Sequence, residues 1–345
     1  MSEGDLLVFT DSGIYCPPAD VFIDPWKPVP RALITHGHAD HSRWGNQQYI
    51  CTHSAKPVIK YRLGNIQISS LAYGETLRVN GVEFSFHPAG HIVGSAQIRV
   101  AYKGQIWVAS GDYKPQDDGV SEPFELVRCH AFITESTFGL PIYRWQNPKL
   151  VFEQINQWWR DNQSAGKVSI ISSYALGKAQ RIINGVDASI GSIYTHGAVE
   201  NTNQVLRRQG LRIQPTTKVR AEMKKSIFEG ALVVATPNAI NSSWVKKFQP
   251  YSLAITSGWM ALRGARRRRA ADRGFILSDH ADWEGLNQVV EGTGAEKVIV
   301  THGYTTIFSK WLQEKGLDAR TEQTAYEGEL AEIGEGSVDE KMEQE

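Results

Sequence analysis

The run Ala32-Leu33-Ile34-Thr35-His36-Gly37-His38-Ala39-Asp40-His41 passes from a short apolar stretch directly into three histidines and an aspartate. The apolar residues predict a buried strand, and the polar ones predict the loop at its end. Three imidazoles and a carboxylate so close together cannot all face a core, because each unpaired buried polar group costs about 1–3 kcal/mol. A divalent cation removes that cost, since imidazole nitrogen and carboxylate oxygen are the usual ligands of Zn²⁺ and its neighbours. His36 and His38 project to one side of an extended segment and can share one ion. Asp40 and His41, where the chain turns, can reach a second.

Further along the chain the same arrangement recurs. His91 lies between Gly90 and Gly94 after a strand-like run, and glycine lets the backbone turn sharply enough to bring an imidazole close to other groups. Asp112 follows the apolar run Gln105-Ile106-Trp107-Val108, and His302 follows Lys297-Val298-Ile299-Val300. A single histidine is more often a satisfied structural residue than a ligand. Together with residues 36–41, however, these positions give five histidines and two aspartates at predicted strand ends, enough for two ions, with Asp112 able to bridge them.

At 345 residues the length suggests about two domains. The hydrophobic fraction of 41% with 10% aromatics supports a sizeable core and excludes a disordered chain. No apolar run approaches the length of a membrane span, and the start Met1-Ser2-Glu3-Gly4-Asp5 has no signal-peptide pattern. Cys16, Cys51 and Cys129 are odd in number and widely spaced, which does not suggest a disulfide framework. The expectation is a cytoplasmic protein. The net charge of zero hides an acidic segment, Glu327 to Glu345, with eight acidic residues and one lysine; the remainder has 36 basic against 29 acidic residues. A body of that sign is compatible with a polyanionic substrate.

Short strand-like runs fill the first part of the chain: Val21-Phe22-Ile23, Ala32-Leu33-Ile34, Val82 to Phe86, Gln97 to Val100 and Gln105 to Val108, with a hairpin expected around Lys103-Gly104. From about Pro148 a helical stretch, Leu150 to Asn162, leads into alternating strands and helices through Val234, the pattern of a small parallel α/β unit. Ligand-type residues return only at His280 and His302. Chemistry at both ends with a different texture between them suggests an insertion into one parent domain.

The run His36-x-His38-x-Asp40-His41, with His91 and Asp112, resembles the metallo-β-lactamase fold in its dinuclear hydrolase form. Glu135 in Ile133-Thr134-Glu135-Ser136-Thr137, His280 in Ser278-Asp279-His280-Ala281-Asp282, and His302 resemble further motifs of the β-CASP nucleases. That group includes the cleavage and polyadenylation endonuclease, the Artemis-like DNA nucleases and ribonuclease J. Ser173-Tyr174-Ala175-Leu176-Gly177-Lys178-Ala179-Gln180 is similar to the start of their inserted domain, so the likeness runs from Tyr15 to about Lys315. Within the group, Tyr15-Cys16-Pro17-Pro18, Ile23-Asp24-Pro25-Trp26, Ser257-Gly258-Trp259-Met260 and Arg273 to Trp283 resemble the bacterial exonucleases associated with an ATP-dependent DNA ligase.

The resemblance implies an α/β fold: a metallo-β-lactamase αββα sandwich from residues 1–148 and 274–326, an inserted β-CASP α/β domain from 149–273, and an acidic disordered tail from 327–345. It implies two divalent ions, Zn or Mn. His36, His38 and His91 would hold one, Asp40, His41 and His302 the other, and Asp112 would bridge. Asp24 would brace the ligand loop. Glu135 and His280 would pair outside the ions, with His280 the candidate general acid for the leaving oxygen.

Arg263, Arg266, Arg267, Arg268, Arg269 and Arg273 form a basic run shortly before His280. Guanidinium groups match phosphate geometry, so the expected partner is DNA, as single strands or ends, with Trp259 and Trp283 as flanking stacking candidates. Ser136, Thr137, Ser173 and Lys178 are further phosphate-contact candidates. The expected activity is a DNA exonuclease in repair. The alternative is an RNA-processing β-CASP nuclease, although Trp259-Met260 and the Arg run stand where many of those enzymes carry a Gly-Thr-x-Gly-Arg type stretch. A small-molecule hydrolase and a non-catalytic nucleic-acid scaffold are the readings from other classes.

Overall fold

The computed structural model describes residues 4–262 and 270–326. Five of the six arginines of the basic run, Arg263 and Arg266 to Arg269, lie outside the described residues, as does the segment 327–345. The chain divides into two units. One comprises the residues up to Asp117, Ser121–Tyr143 and those from His280 on; the other comprises Asp118–Val120 and Arg144–Asp279.

The first unit opens with a six-stranded sheet in chain order: β1 (Val8–Thr10), β2 (Gly13–Cys16), β3 (Val21–Ile23), β4 (Arg31–Leu33), β5 (Gln48–Thr52) and β6 (Ile68–Leu71). A second sheet follows with β7 (Thr76–Val79), β8 (Val82–Pro88), β9 (Ala96–Tyr102), β10 (Gln105–Ala109) and β11 (Ala131–Ser136). The hairpin at Lys103-Gly104 has both central residues at positive φ, 47° and 82°, the turn whose twist matches two antiparallel strands.

Strand alternation builds the layers. Leu33 and Ile50 of the first sheet, and Trp107, Ala109, Ala131 and Ile133 of the second, share one buried core. Their chain neighbours point the other way. Ala32, Tyr49 and Cys51 pack with Ile59 of the helix Lys56–Leu63. Val108 and Phe132 pack with Leu286 and Val289 of the helix Trp283–Thr293 and Phe308 of the helix Thr305–Glu314. This period of two is what a strand buried on both faces requires. All three cysteines are buried and unbridged.

In the second unit, β12 (Val168–Ser172), β13 (Ile193–Thr195), β14 (Thr217–Lys218), β15 (Leu232–Ala235), β16 (Tyr251–Thr256) and β17 (Arg273–Phe275) form one sheet in the order β14-β13-β15-β12-β16-β17. Every pairing in it is parallel. Buried residues cover both faces, as a parallel sheet demands. The helix Pro148–Ser164 lies on one face, with proline in its first turn and Asn147 accepting from the Lys149 amide at 3.0 Å. Because β17 is an edge strand of this sheet, residues 274–279 group with the second unit rather than with the first, where the sequence reading put them.

The chain then returns to the first unit. There β18 (Lys297–Gly303) pairs in parallel with β11, and β19 (Asp318–Thr321) pairs in parallel with β18. Among the described residues no helix is long and apolar enough to cross a membrane.

Candidate metal centre

Every expected ligand of the first unit leaves the C-terminal end of a strand. In the first sheet β3 and β4 are parallel; Asp24 follows one and residues 36–41 the other. In the second sheet β10, β11 and β18 are mutually parallel, and β8 shares their direction through two antiparallel steps across β9. His91, Asp112, Glu135 and His302 lie at the ends of those four strands. Glycine is required where they converge. A side chain at Gly90 (φ 71°) would strike the Lys114 carbonyl at 2.2 Å, and one at Gly111 (φ 57°) would strike the Thr35 hydroxyl at 2.7 Å.

His36 Nε2 and His91 Nε2 each lie 3.1 Å from His38 Nδ1. Asp112 Oδ2 lies 3.6 Å from His36 Nε2, 3.8 Å from His91 Nε2 and 3.6 Å from His41 Nε2. Asp40 Oδ2 is 3.8 Å from His41 Nε2. Ligands bound tetrahedrally at about 2.0–2.1 Å are separated by roughly 3.3 Å, so these spacings suit a cation among them. One oxygen of Asp112 faces histidines of both groups. His302 lines a cavity of about 20 Å³ together with His41 and Asp112. Its backbone is left-handed, at φ 56°, unusual for a non-glycine residue, and its carbonyl accepts from Ser136 Oγ at 2.7 Å.

Hydrogen bonding orients the imidazoles. Asp24 is buried and accepts from the Thr35 amide at 2.7 Å, from the Thr35 hydroxyl, and from His41 Nδ1 at 2.7 Å. A carboxylate only accepts, so His41 carries its proton on Nδ1 and turns the Nε2 lone pair inward. The Thr35 hydroxyl, committed as donor to Asp24, accepts from His36 Nδ1 at 3.0 Å, which leaves His36 Nε2 bare as well. His41 Nε2 is buried without a hydrogen-bond partner among the described residues. A cation would supply the missing partner, so the residues present fit one.

Electrostatics point the same way. Burial works against a charge on His41, but Asp112, Asp40 and Asp24 outweigh it and raise its pKa to about 10. Burial pushes the Asp112 carboxyl up despite the pull of His41. Both shifts mark a place where added positive charge is favoured. Burial, with the neighbouring His41, His38 and His91, drives His36 well below its ordinary value, so it stays neutral as a ligand must.

Beside this cluster, His280 Nδ1 lies 2.8 and 3.0 Å from the two oxygens of Glu135. Its ring centroid is 4.6 Å from that of His91. The Tyr113 amide donates to Glu135 at 2.8 Å, and the Thr137 hydroxyl donates as well. Burial would raise the Glu135 carboxyl, but His280 and these donors hold it below the usual range.

Nucleic-acid contacts were less legible. Ser173 and Lys178 are buried, with the Lys178 ammonium 5.3 Å from the Tyr174 ring centroid. Ser136 and Thr137 are buried too. Trp259 and Trp283 are buried rather than offered for stacking; Trp283 packs against Trp311 and Phe308 in the core. Arg273 is exposed, its guanidinium 5.6 Å from the Phe275 ring centroid. The sequence reading missed Trp44, which is 75% exposed three residues after His41. It also missed Arg62, whose guanidinium donates to the carbonyls of Gly37 at 2.8 Å and His38 at 3.3 Å and to the Ser42 hydroxyl at 2.6 Å. No motif marks either residue. Thr35, next to the first ligand, was open to suspicion by position alone.

A cluster of histidine and aspartate at converging strand ends, with a glutamate–histidine pair beside it, agrees with the resemblance to β-CASP nucleases of metallo-β-lactamase type, and the chain's relatives are consistent with that family. Among its relatives is a probable DNA ligase of Opitutus terrae, 28% identical over 89% of this chain and 30% of that protein. Another is an RNase J-like protein of Methanocaldococcus jannaschii, 24% identical over 80% of this chain and 82% of the relative. Endoribonuclease YSH1 of Saccharomyces cerevisiae is 29% identical over 34% of this chain and 15% of its own length. The chain therefore spans less than a third of the ligase relative. No family model matches. A crystal structure of a protein of unknown function from Enterococcus faecalis V583 superposes with a TM-score of 0.53 over 79% of this chain and 74% of that one, at 9% identity. That likeness concerns the fold alone.

Proposed function

We propose that the chain is a dinuclear, metal-dependent DNA exonuclease acting at DNA ends, in cytoplasmic repair alongside an ATP-dependent DNA ligase. In this reading the first unit is a metallo-β-lactamase αββα sandwich and the second is an inserted β-CASP domain. His36, His38 and His91 hold one divalent ion, Zn or Mn; Asp40, His41 and His302 hold the other, with Asp112 shared. Such ions, when bound, neutralise phosphate oxygens and acidify water toward neutral pKa.

The observation that carries the reading is the Glu135–His280 pair set against His91. A phosphodiester's departing oxygen needs a proton. Glu135, held ionised, accepts from His280 Nδ1 and favours the imidazolium, whose Nε2 proton would pass to the leaving oxygen. Tyr113 and Thr137 keep the carboxylate in place. Arg62 steadies the ligand loop through its carbonyls. Exposed Trp44, near the ligands in sequence, offers a face for a nucleobase.

The substrate choice is supported by the relative named a probable DNA ligase, which matches 89% of this chain. The RNase J-like relative, matching 80%, favours the second reading of an RNA-processing nuclease. The test is degradation of matched DNA and RNA single strands, labelled at either end, with and without an end block, in Zn²⁺ or Mn²⁺. Stepwise shortening of unblocked DNA is expected. Preferential RNA cutting, or internal cutting of blocked strands, overturns the DNA-exonuclease reading.

A further inference from the structure

Tyr326 comes from the segment after β19, far from the histidine motif in sequence, yet its ring lies stacked on His41. The centroids are 4.1 Å apart and the planes 18° from parallel. Its hydroxyl donates to the Asp24 carbonyl at 3.0 Å. Trp26, whose indole nitrogen donates to the Asp11 carbonyl at 2.9 Å, meets the Tyr326 ring edge-on at 5.7 Å. Arg43, two residues after His41, donates to the Ala325 carbonyl. Tyr326 also lines the cavity shared by His41, Asp112 and His302. Three separate contacts thus fasten one segment over one imidazole.

We propose that Tyr326 is a positioning residue for the second cation: its ring covers the Asp24–His41 hydrogen bond and holds the imidazole with Nε2 directed into the centre. The inference rests on the two-ion assignment above. That hydrogen bond decides which nitrogen of His41 faces inward. Water reaching it would compete for Asp24 and free the ring to rotate, whereas a covered bond is electrostatically stronger. The effect is one-sided, because among the described residues the Tyr326 ring meets the rings of Trp26 and His41 and not those of His36, His38 or His91. Losing an orienting partner of a metal-bound histidine typically weakens metal affinity about 10–100-fold.

The experiment is a Zn²⁺ titration of the full chain in competition with a chromophoric chelator, without nucleic acid, on wild type, Tyr326→Ala, Tyr326→Leu and Tyr326→Phe, with circular dichroism to check folding. Wild type is expected to take up two equivalents. The Ala and Leu variants should bind one of them about 10–100-fold more weakly and leave the other unchanged; Phe, which keeps the ring, should lie close to wild type. Leu carries the comparison if Ala does not fold. A folded Ala or Leu variant that binds both equivalents like wild type overturns the inference, as does equal weakening of both. Wild type taking up fewer than two equivalents overturns the two-ion assignment and the inference with it. Two equivalents without any nuclease activity would remove the proposed function and leave the role of Tyr326 standing.

Discussion

Replacing Asp24 with asparagine removes one charge and turns one acceptor into a donor without changing shape. Asp24 sits at φ 42°, a conformation asparagine tolerates and alanine resists, so Asp24→Asn is the cleaner change. Suppose the new carbonyl keeps the Thr35 amide. The new NH₂ then faces the Thr35 hydroxyl and His41 Nδ1, both of which donate to that position in the native chain. The hydroxyl can rotate to accept, but it then donates to His36 Nδ1, and His41 must give up its Nδ1 proton. Both imidazoles shift their protons to Nε2, the atoms that face the centre. Restoring the ligand tautomers leaves at least one buried donor opposite a donor, at about 1–3 kcal/mol. At 1.4 kcal/mol per tenfold, Zn²⁺ affinity should fall roughly 5- to 150-fold. The fold should survive, since the Thr35 amide keeps its acceptor. Chelator competition gives the affinity, and thermal unfolding in excess chelator gives the stability. Wild-type Zn²⁺ affinity in a folded Asp24→Asn variant would refute the tautomer argument.

Asp40→Ala should abolish cleavage while leaving DNA binding largely intact; full activity with metal confirmed absent would remove the site assignment. His280→Ala should slow the chemical step most for substrates with poor leaving groups, and Glu135→Gln should do so in the same sense. A rate indifferent to leaving-group pKa would rule out the proton-donor role. In the metal-free chain His41 is raised from 6.5 to about 10; its contribution to stability is full below about pH 6.5 and lost as pH rises through about 10. Chelated protein should therefore melt progressively lower from pH 7 to 10, and Zn²⁺ uptake near pH 7 should release a proton, read from calorimetry in buffers of different ionisation enthalpy. Trp44→Ala should weaken single-strand binding by about 1–3 kcal/mol, the usual worth of one stacked base, without altering Zn²⁺ uptake; unchanged DNA affinity would remove Trp44 from the substrate path.

What the chain discloses without coordinates is set by how local the signal is. Leu33, Ile50, Trp107 and Ile133 face one core while their chain neighbours Ala32, Tyr49, Val108 and Phe132 face others, and a period of two is readable wherever a strand is buried on both sides. The candidate ligands are legible for the same reason. Each follows such a strand, and a histidine or aspartate there has to be matched by something. The edge of the second unit was not legible in the same way, because Arg273–Phe275 is three residues long and is a strand only by pairing with β16, a non-local fact. Tyr326 lies 302 residues from Asp24 in a stretch without periodicity, and Arg62 projects from an otherwise ordinary helix. Both act on backbone carbonyls, which every residue has, so no side-chain pattern announces them. The orienting shell proposed for this candidate centre is therefore harder to read than the centre itself. A ligand must be one of a few residue types at a strand end, whereas a donor to a carbonyl or a ring over an imidazole can come from anywhere the chain passes.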